Sequence, residues 1–153
     1  MRRVVLVLGA MALALVLASG VALAVTELGG PGDDTLVGTK GSDTLVGRGG
    51  SDRINGRAGK DVVVGGTGND RLLNGDSGAD FISGGPGADF LVDGPIREFD
   101  VDKLGGGDGN DILVTWNIPV ARDIVGCGDG GDFADVDRRD VVGGDCEEVR
   151  IRF

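Results

Sequence analysis

From Gly29 onward, single aliphatic residues stand alone in stretches of Gly, Asp, Ser, Thr and Asn, and they recur every nine positions. The chain reads GGPGDDTLV, GTKGSDTLV, GRGGSDRIN, GRAGKDVVV and GGTGNDRLL without a break to Leu73. After the single inserted residue Asn74, the register resumes as GDSGADFIS from Gly75 and GGPGADFLV from Gly84. A further unit, GGDGNDILV, starts at Gly106, and a degenerate ninth, CGDGGDFAD, at Cys127. The eighth position is apolar throughout: Leu36, Leu45, Ile54, Val63, Leu72, Ile82, Leu91, Leu113 and, weakly, Ala134. With its Val, Thr, Phe, Ile or Arg neighbours it predicts a three-residue strand pointing one side chain inward, after a six-residue loop. One such unit cannot bury a face alone, whereas stacked units can, which predicts an all-β solenoid of nine-residue repeats.

The loop columns are equally regular. Position four is glycine in every unit, and position one is glycine in all but the Cys127 unit. Glycine there is expected to supply positive φ and close backbone approach, as a tightly curled loop requires. Position two is looser, with Thr39, Arg48, Arg57 and Asp76 among the glycines. Position six is always aspartate: Asp34, Asp43, Asp52, Asp61, Asp70, Asp80, Asp89, Asp111 and Asp132. A carboxylate among exposed carbonyls, with no nitrogen or sulfur ligand, is a hard-oxygen environment suited to Ca²⁺.

Composition narrows the chemistry further. The chain of 153 residues has no histidine, 31 glycines and a formal charge of −10. Without histidine there is no Ser-His-Asp triad, Cys-His dyad or imidazole metal ligand. Two cysteines cannot build a four-sulfur zinc site. The acidity argues against nucleic acid and anionic membrane as partners. Stacked carboxylates would repel one another in a metal-free fold, so a cation is expected to be needed. Arg48, Arg57 and Lys60 put positive charge beside the middle loops and work against individual sites there.

The chain's other apolar stretch is of a different kind. Met1-Arg2-Arg3 precedes 22 uncharged residues from Val4 to Val25, which contain Ala22-Leu23-Ala24. This is the pattern of a secretory signal peptide over 1–24, cleaved after Ala24, with an uncleaved membrane anchor as the alternative. A mature chain from Val25 loses Arg2 and Arg3 and carries −12. No membrane partner is expected after cleavage, and the protein is expected to be extracellular.

These units closely resemble the repeats-in-toxin (hemolysin-type) calcium-binding family, whose unit is Gly-Gly-x-Gly-x-Asp-x-apolar-x. The resemblance is tight from Gly29 to Val92 and isolated at Gly106 to Val114. It implies a right-handed parallel β-roll with two units per coil, and Ca²⁺ between loops stacked on the same side. Aspartates sharing an ion would then lie two units apart: Asp34 with Asp52, Asp43 with Asp61, Asp52 with Asp70, Asp61 with Asp80, and Asp70 with Asp89. About four to six ions follow from those pairs. Repeats of this family usually accompany an effector such as a protease, lipase, pore-forming toxin or adhesin, and nothing in this chain has the makings of one.

The last third departs from the repeat. Asp93 to Gly105 and Thr115 to Gly126 interrupt the register as longer loops or extra strands. Repeats are therefore assigned to 25–114, and a degenerate unit with a C-terminal cap to 115–153. Trp116 is expected to plug the core. Cys127 and Cys146, in an exported chain, predict a disulfide rather than two free thiols. Val141, Val142, Val149 and Ile151 are expected to cover the last apolar face. The stretch from Asp123 to Phe153 also resembles the Cys-containing tail of small exported calcium-repeat proteins of actinobacteria. The leading expectation is a secreted, non-catalytic calcium-binding repeat protein. Alternatives are a calcium-dependent surface adhesion or matrix protein, with an unidentified cell-surface or matrix partner, and a small hydrolase using two aspartates as acid and base.

Overall fold

A computed structural model of the protein describes residues 23–74, 77–93, 99–116 and 121–153. The expected signal segment lies outside the described residues except for Leu23 and Ala24. Fourteen strands follow one another: β1 (Thr26–Leu28), β2 (Thr35–Val37), β3 (Thr44–Gly49), β4 (Arg53–Asn55), β5 (Val62–Thr67), β6 (Arg71–Asn74) and β7 (Phe81–Pro86). The series continues with β8 (Phe90–Asp93), β9 (Lys103–Asp108), β10 (Ile112–Thr115), β11 (Ile124–Asp129), β12 (Phe133–Asp137), β13 (Val141–Val142) and β14 (Glu148–Arg152). Odd-numbered strands form one seven-stranded sheet, sheet I, and even-numbered strands a second, sheet II. Every neighbouring pair is parallel, from Thr26 opposite Thr44 in sheet I to Arg152 opposite Asp137 in sheet II. This is a parallel β-solenoid in which each coil contributes one strand to each sheet.

The nine-residue spacing sets this geometry. Residues two units apart stack in register, so Leu45 lies opposite Val63 and Leu36 opposite Ile54. Each eighth-position residue points inward, and the core is two facing files. Leu45, Val63, Ile82, Leu104 and Val125 come from sheet I, and Leu36, Ile54, Leu72, Leu91, Leu113 and Ala134 from sheet II. All are buried. Sheet I strands β3, β5, β7, β9 and β11 run six residues rather than the three expected, because pairing continues past the apolar residue, as in Gly85 opposite Gly107.

Both register breaks contain strands. β9 and β11 lie within or across the interruptions and place Leu104 and Val125 in the core file. The 13-residue interruption is therefore one degenerate unit plus four residues, and the 12-residue one a unit plus three.

The C-terminal end is closed less completely than the sequence suggests. Cys127 and Cys146 form the expected disulfide, with Cα atoms 5.1 Å apart. Val142 and Cys146 pack on the core, but Val149 and Ile151 on β14 are 41% and 51% exposed among the described residues. Trp116 is not a core plug. It is 41% exposed and lies under the Arg152 guanidinium, 3.9 Å from ring centre, while Arg152 also grips Asp135 through two 2.7 Å hydrogen bonds.

Candidate metal centre: two ladders of aspartates

The loops fall on two flanks. Those running from sheet I to sheet II end in Asp34, Asp52, Asp70, Asp89, Asp111 and Asp132, and those running back end in Asp43, Asp61 and Asp80. Within a flank each carboxylate reaches back one coil. Oδ1 of Asp52 accepts from the backbone N–H of Asp34 (2.7 Å), Asp70 from Asp52 (2.8 Å), Asp89 from Asp70 (2.8 Å), Asp111 from Asp89 (2.8 Å) and Asp132 from Asp111 (2.7 Å). On the return flank Asp61 accepts from Asp43 (2.8 Å) and Asp80 from Asp61 (2.6 Å). The structure thus places all nine aspartates in two ladders, and aspartates two units apart are joined through a backbone N–H of one and Oδ1 of the other.

Four further acidic residues complete the ladders. Asp102 accepts from the Asp80 N–H (2.6 Å), Asp123 from Asp102 (3.0 Å), Asp140 from Asp123 (3.0 Å) and Glu147 from Asp132 (2.8 Å). Sequence reasoning passed over them because their loops lack the glycines. The remaining signal is an acid two residues before an aliphatic: Asp102 with Leu104, Asp123 with Val125, Asp140 with Val142, and Glu147 with Val149.

The second carboxylate oxygen has a different environment. Among the described residues, Oδ2 of Asp52, Asp61, Asp70, Asp89, Asp111 and Asp132 is buried and receives no hydrogen bond. A buried acceptor left without a donor is costly, and more so when it is charged. Asp34 and Asp43 differ, because their Oδ2 atoms turn onto the N–H groups of Gly30 and Thr39 in their own loops.

Position one explains what Oδ2 faces. A Cβ built on Gly47 would collide with Asp52 Oδ2 and the Gly65 carbonyl, and Gly65 stands in the same relation to Asp70 and Gly84. Gly84 repeats it with Asp89 and Gly106, and Gly106 with Asp111 and the Cys127 carbonyl. The absent side chain therefore leaves a cradle into which a carboxylate oxygen and a carbonyl oxygen from adjacent coils both project. Position one is glycine for this close approach, not for positive φ as expected. Positive φ falls at positions two and four, including Gly68 (126°) and Gly87 (150°), and at position two Arg48 (80°) and Arg57 (69°) adopt it as well.

Burial and crowding act on these carboxylates together. Burial, opposed by the N–H bond from Asp43 and reinforced by the nearby Asp43 charge, raises the Asp61 pKa to about 6. Burial in the same balance raises Asp89 to about 7, with Asp70 and Asp111 adding repulsion. Burial also raises Asp123 to about 7, and Asp70 and Asp111 shift upward for the same first cause. Such groups hold their charge at neutral pH when a cation lies among them. The donors are all hard oxygens, and they fit Ca²⁺.

A shallow depression of about 360 Å³ is lined by Gly30, Pro31, Arg48, Gly49, Gly50 and Thr67. No carboxylate lines it, so it offers no acid–base pair for a hydrolase.

Residues 28–63, 37–72 and 58–91 match a family model described as the RTX calcium-binding nonapeptide repeat (4 copies). No curated protein and no solved structure matches the chain. The matched stretch ends just before the first long interruption, and it contains the glycine cradles of Gly47, Gly65 and Gly84. Over residues 28–91, 64 of its 153 residues, the chain is thus similar to the RTX calcium-binding nonapeptide repeat.

Proposed function

We propose that this is a secreted calcium-binding repeat protein whose fold is stabilised by Ca²⁺ in the Gly-Gly-x-Gly-x-Asp loops, with no catalytic activity of its own. The observation that carries this reading is the row of buried, donor-less Oδ2 atoms of Asp52, Asp70, Asp89 and Asp111, each facing a carbonyl across a glycine cradle. Those four carboxylates, with the carbonyls of Gly65, Gly84, Gly106 and Cys127, would hold ions along one flank. Asp61 would contribute on the other, and the expected total stays at about four to six. Ions in that number bring roughly +8 to +12 and offset the −12 of a chain beginning at Val25.

Metal would make the fold conditional. Each unit buries one or two aliphatic side chains at roughly 1.5–3 kcal/mol apiece, while ordering nine residues costs on the order of 1–2 kcal/mol each. A cation that binds only the folded state supplies the difference. Secretion is supported by the Met1 to Ala24 pattern and by the disulfide, a bond that persists in oxidising compartments. Extracellular modules bind Ca²⁺ at about 0.1–1 mM. The test is circular dichroism of the mature chain in EDTA and in excess Ca²⁺. A β-rich spectrum appearing with Ca²⁺ supports the reading, and identical spectra overturn it.

A further inference from the structure

On the return flank, the place two residues after the core aliphatic, glycine at Gly38 and Gly56, does not stay glycine. Asn74, Asp93 and Thr115 follow one another in register along sheet II, Asn74 opposite Asp93 and Asp93 opposite Thr115. Near the start of that flank, Gly38 occupies the corresponding place, and a Cβ there would collide with Asp43 Oδ2 and the Gly56 carbonyl. Asp93 therefore puts a whole carboxylate where the regular loops leave a cradle. The room comes from the interruption, since Asp80 and Asp102 are 22 residues apart where regular ladder neighbours are 18 apart.

Asp80, Asp93 and Asp102 converge here, each offering an oxygen within 4.8 Å of the others. They are 5%, 1% and 0% exposed. Asp102 uses Oδ1 to accept from the Asp80 N–H, and among the described residues no N–H or O–H reaches its Oδ2. Ionised carboxylates only accept, so three of them can share a dry space only around a proton or a cation.

We propose that Asp80, Asp93 and Asp102 form an additional Ca²⁺ site at the first interruption, distinct in make-up from the glycine-cradled loops. It rests on the calcium reading of the repeats. Three carboxylates around one ion raise the ligand charge above that of a repeat loop, and charge count is one of the two quantities that tune Ca²⁺ affinity. This site fills first, ahead of the repeat sites.

Calorimetric Ca²⁺ titration of the full mature chain tests it, comparing wild type with Asp93→Asn and Asp102→Asn. The amide oxygen of Asp102→Asn still accepts the Asp80 N–H, so that variant keeps the ladder intact even if Asp93→Asn folds poorly. Both variants should bind one ion fewer and lose the tightest step, with the remaining steps unchanged and the Ca²⁺-saturated dichroism spectrum preserved. The tightest dissociation constant should weaken roughly tenfold or more. Unchanged stoichiometry and affinity in a folded variant would overturn the site while leaving the repeat reading standing, and would assign the cluster to a shared proton. Wild type that binds no Ca²⁺ overturns both.

Discussion

The backbone N–H of Asp52 donates to Oδ1 of Asp70, 2.8 Å away and 18 residues on, while Asp70 Oδ2 is buried with no donor. The two oxygens of one carboxylate thus differ, one tied into the ladder and the other, on the proposed reading, left for Ca²⁺. Asp70→Asn keeps the acceptor and removes the charge; Asp70→Ala removes both. In Ca²⁺ both variants should bind one ion fewer. The alanine variant should also be about 1–3 kcal/mol less stable than the asparagine variant, because the Asp52 N–H is left buried without a partner. Chemical denaturation at saturating Ca²⁺ measures that gap.

Gly84 and Gly105 form a matched pair for testing the cradle. A Cβ at Gly84 meets Asp89 Oδ2 and the Gly106 carbonyl, whereas one at Gly105 meets nothing within 4 Å. Gly84→Ala should weaken Ca²⁺ binding and lower the melting temperature in Ca²⁺. Gly105→Ala should leave binding unchanged and be neutral or stabilising by up to about 1 kcal/mol. Thermal melts of the two variants side by side would expose any role of Gly84 that is merely conformational, since its φ is not positive.

Arg48 and Arg57 occupy left-handed backbone where other units carry glycine. A bulky residue there costs on the order of 1–3 kcal/mol, partly offset by the extra freedom glycine adds to the unfolded chain. Arg48→Gly and Arg57→Gly should each stabilise the Ca²⁺-bound protein by about 1 kcal/mol. Removing positive charge beside the loops should tighten Ca²⁺ binding in the same variants, measurable by titration.

The metal-free protein should respond to acid in the direction opposite to ordinary acid denaturation. Asp61, Asp89 and Asp123 have folded-state pKa values of about 6, 7 and 7, above the usual 3.8. A carboxyl whose pKa is raised by folding binds more protons in the folded state. Its contribution to stability is complete below about 3.8 and is lost as pH rises through 6–7. In EDTA, acidification from pH 7.5 to 5 should therefore increase β structure and resistance to urea, and saturating Ca²⁺ should flatten that dependence. A metal-free chain less structured at pH 5 than at 7.5 would contradict the assignment.

Cys127 takes the position-one place in the ninth unit, and its bond to Cys146 closes a 19-residue loop. Chain entropy gives such a bridge about 3 kcal/mol. Cys127→Ser with Cys146→Ser should lose about that much. Hydrogen exchange should place the first opening at β12 to β14, not at the middle coils.

Much of the solenoid was legible because two columns do most of the folding. The eighth-position aliphatic supplies the core, and the sixth-position aspartate ties each coil to the next. Where both survive without glycine, as at Asp102-Lys103-Leu104 and Asp123-Ile124-Val125, the pattern shrinks to an acid two residues before an aliphatic. That is too common to stand out, so two units, together the length of one coil, read as interruptions. Trp116 misled for a related reason. Its size suggests burial, but the solenoid fills its interior with small and aliphatic side chains, one or two per strand, and the indole is left to stack on Arg152 outside. The difference between the flanks was hidden in the linear order, since consecutive units alternate between them. Sorted by flank, one series keeps its position-one glycine from Gly29 to Gly106, while in the other the place held by Gly38 and Gly56 passes in register to Asn74, Asp93 and Thr115.

The ladders are polar, because every coil donates N–H groups to carboxylates that arrive in the coil after it. Trimming the chain from its beginning would free acceptors, which water satisfies easily at a surface. Trimming from its end would strand donors and uncover an apolar pair in the same cut. The two ends are therefore unequal in what they can lose, and a chain emerging amino end first always has its newest coil waiting for the next. Asp140 and Glu147 are the last acceptors to arrive. The stretch beyond Cys127 is in this sense the partner for which the coil before it waits.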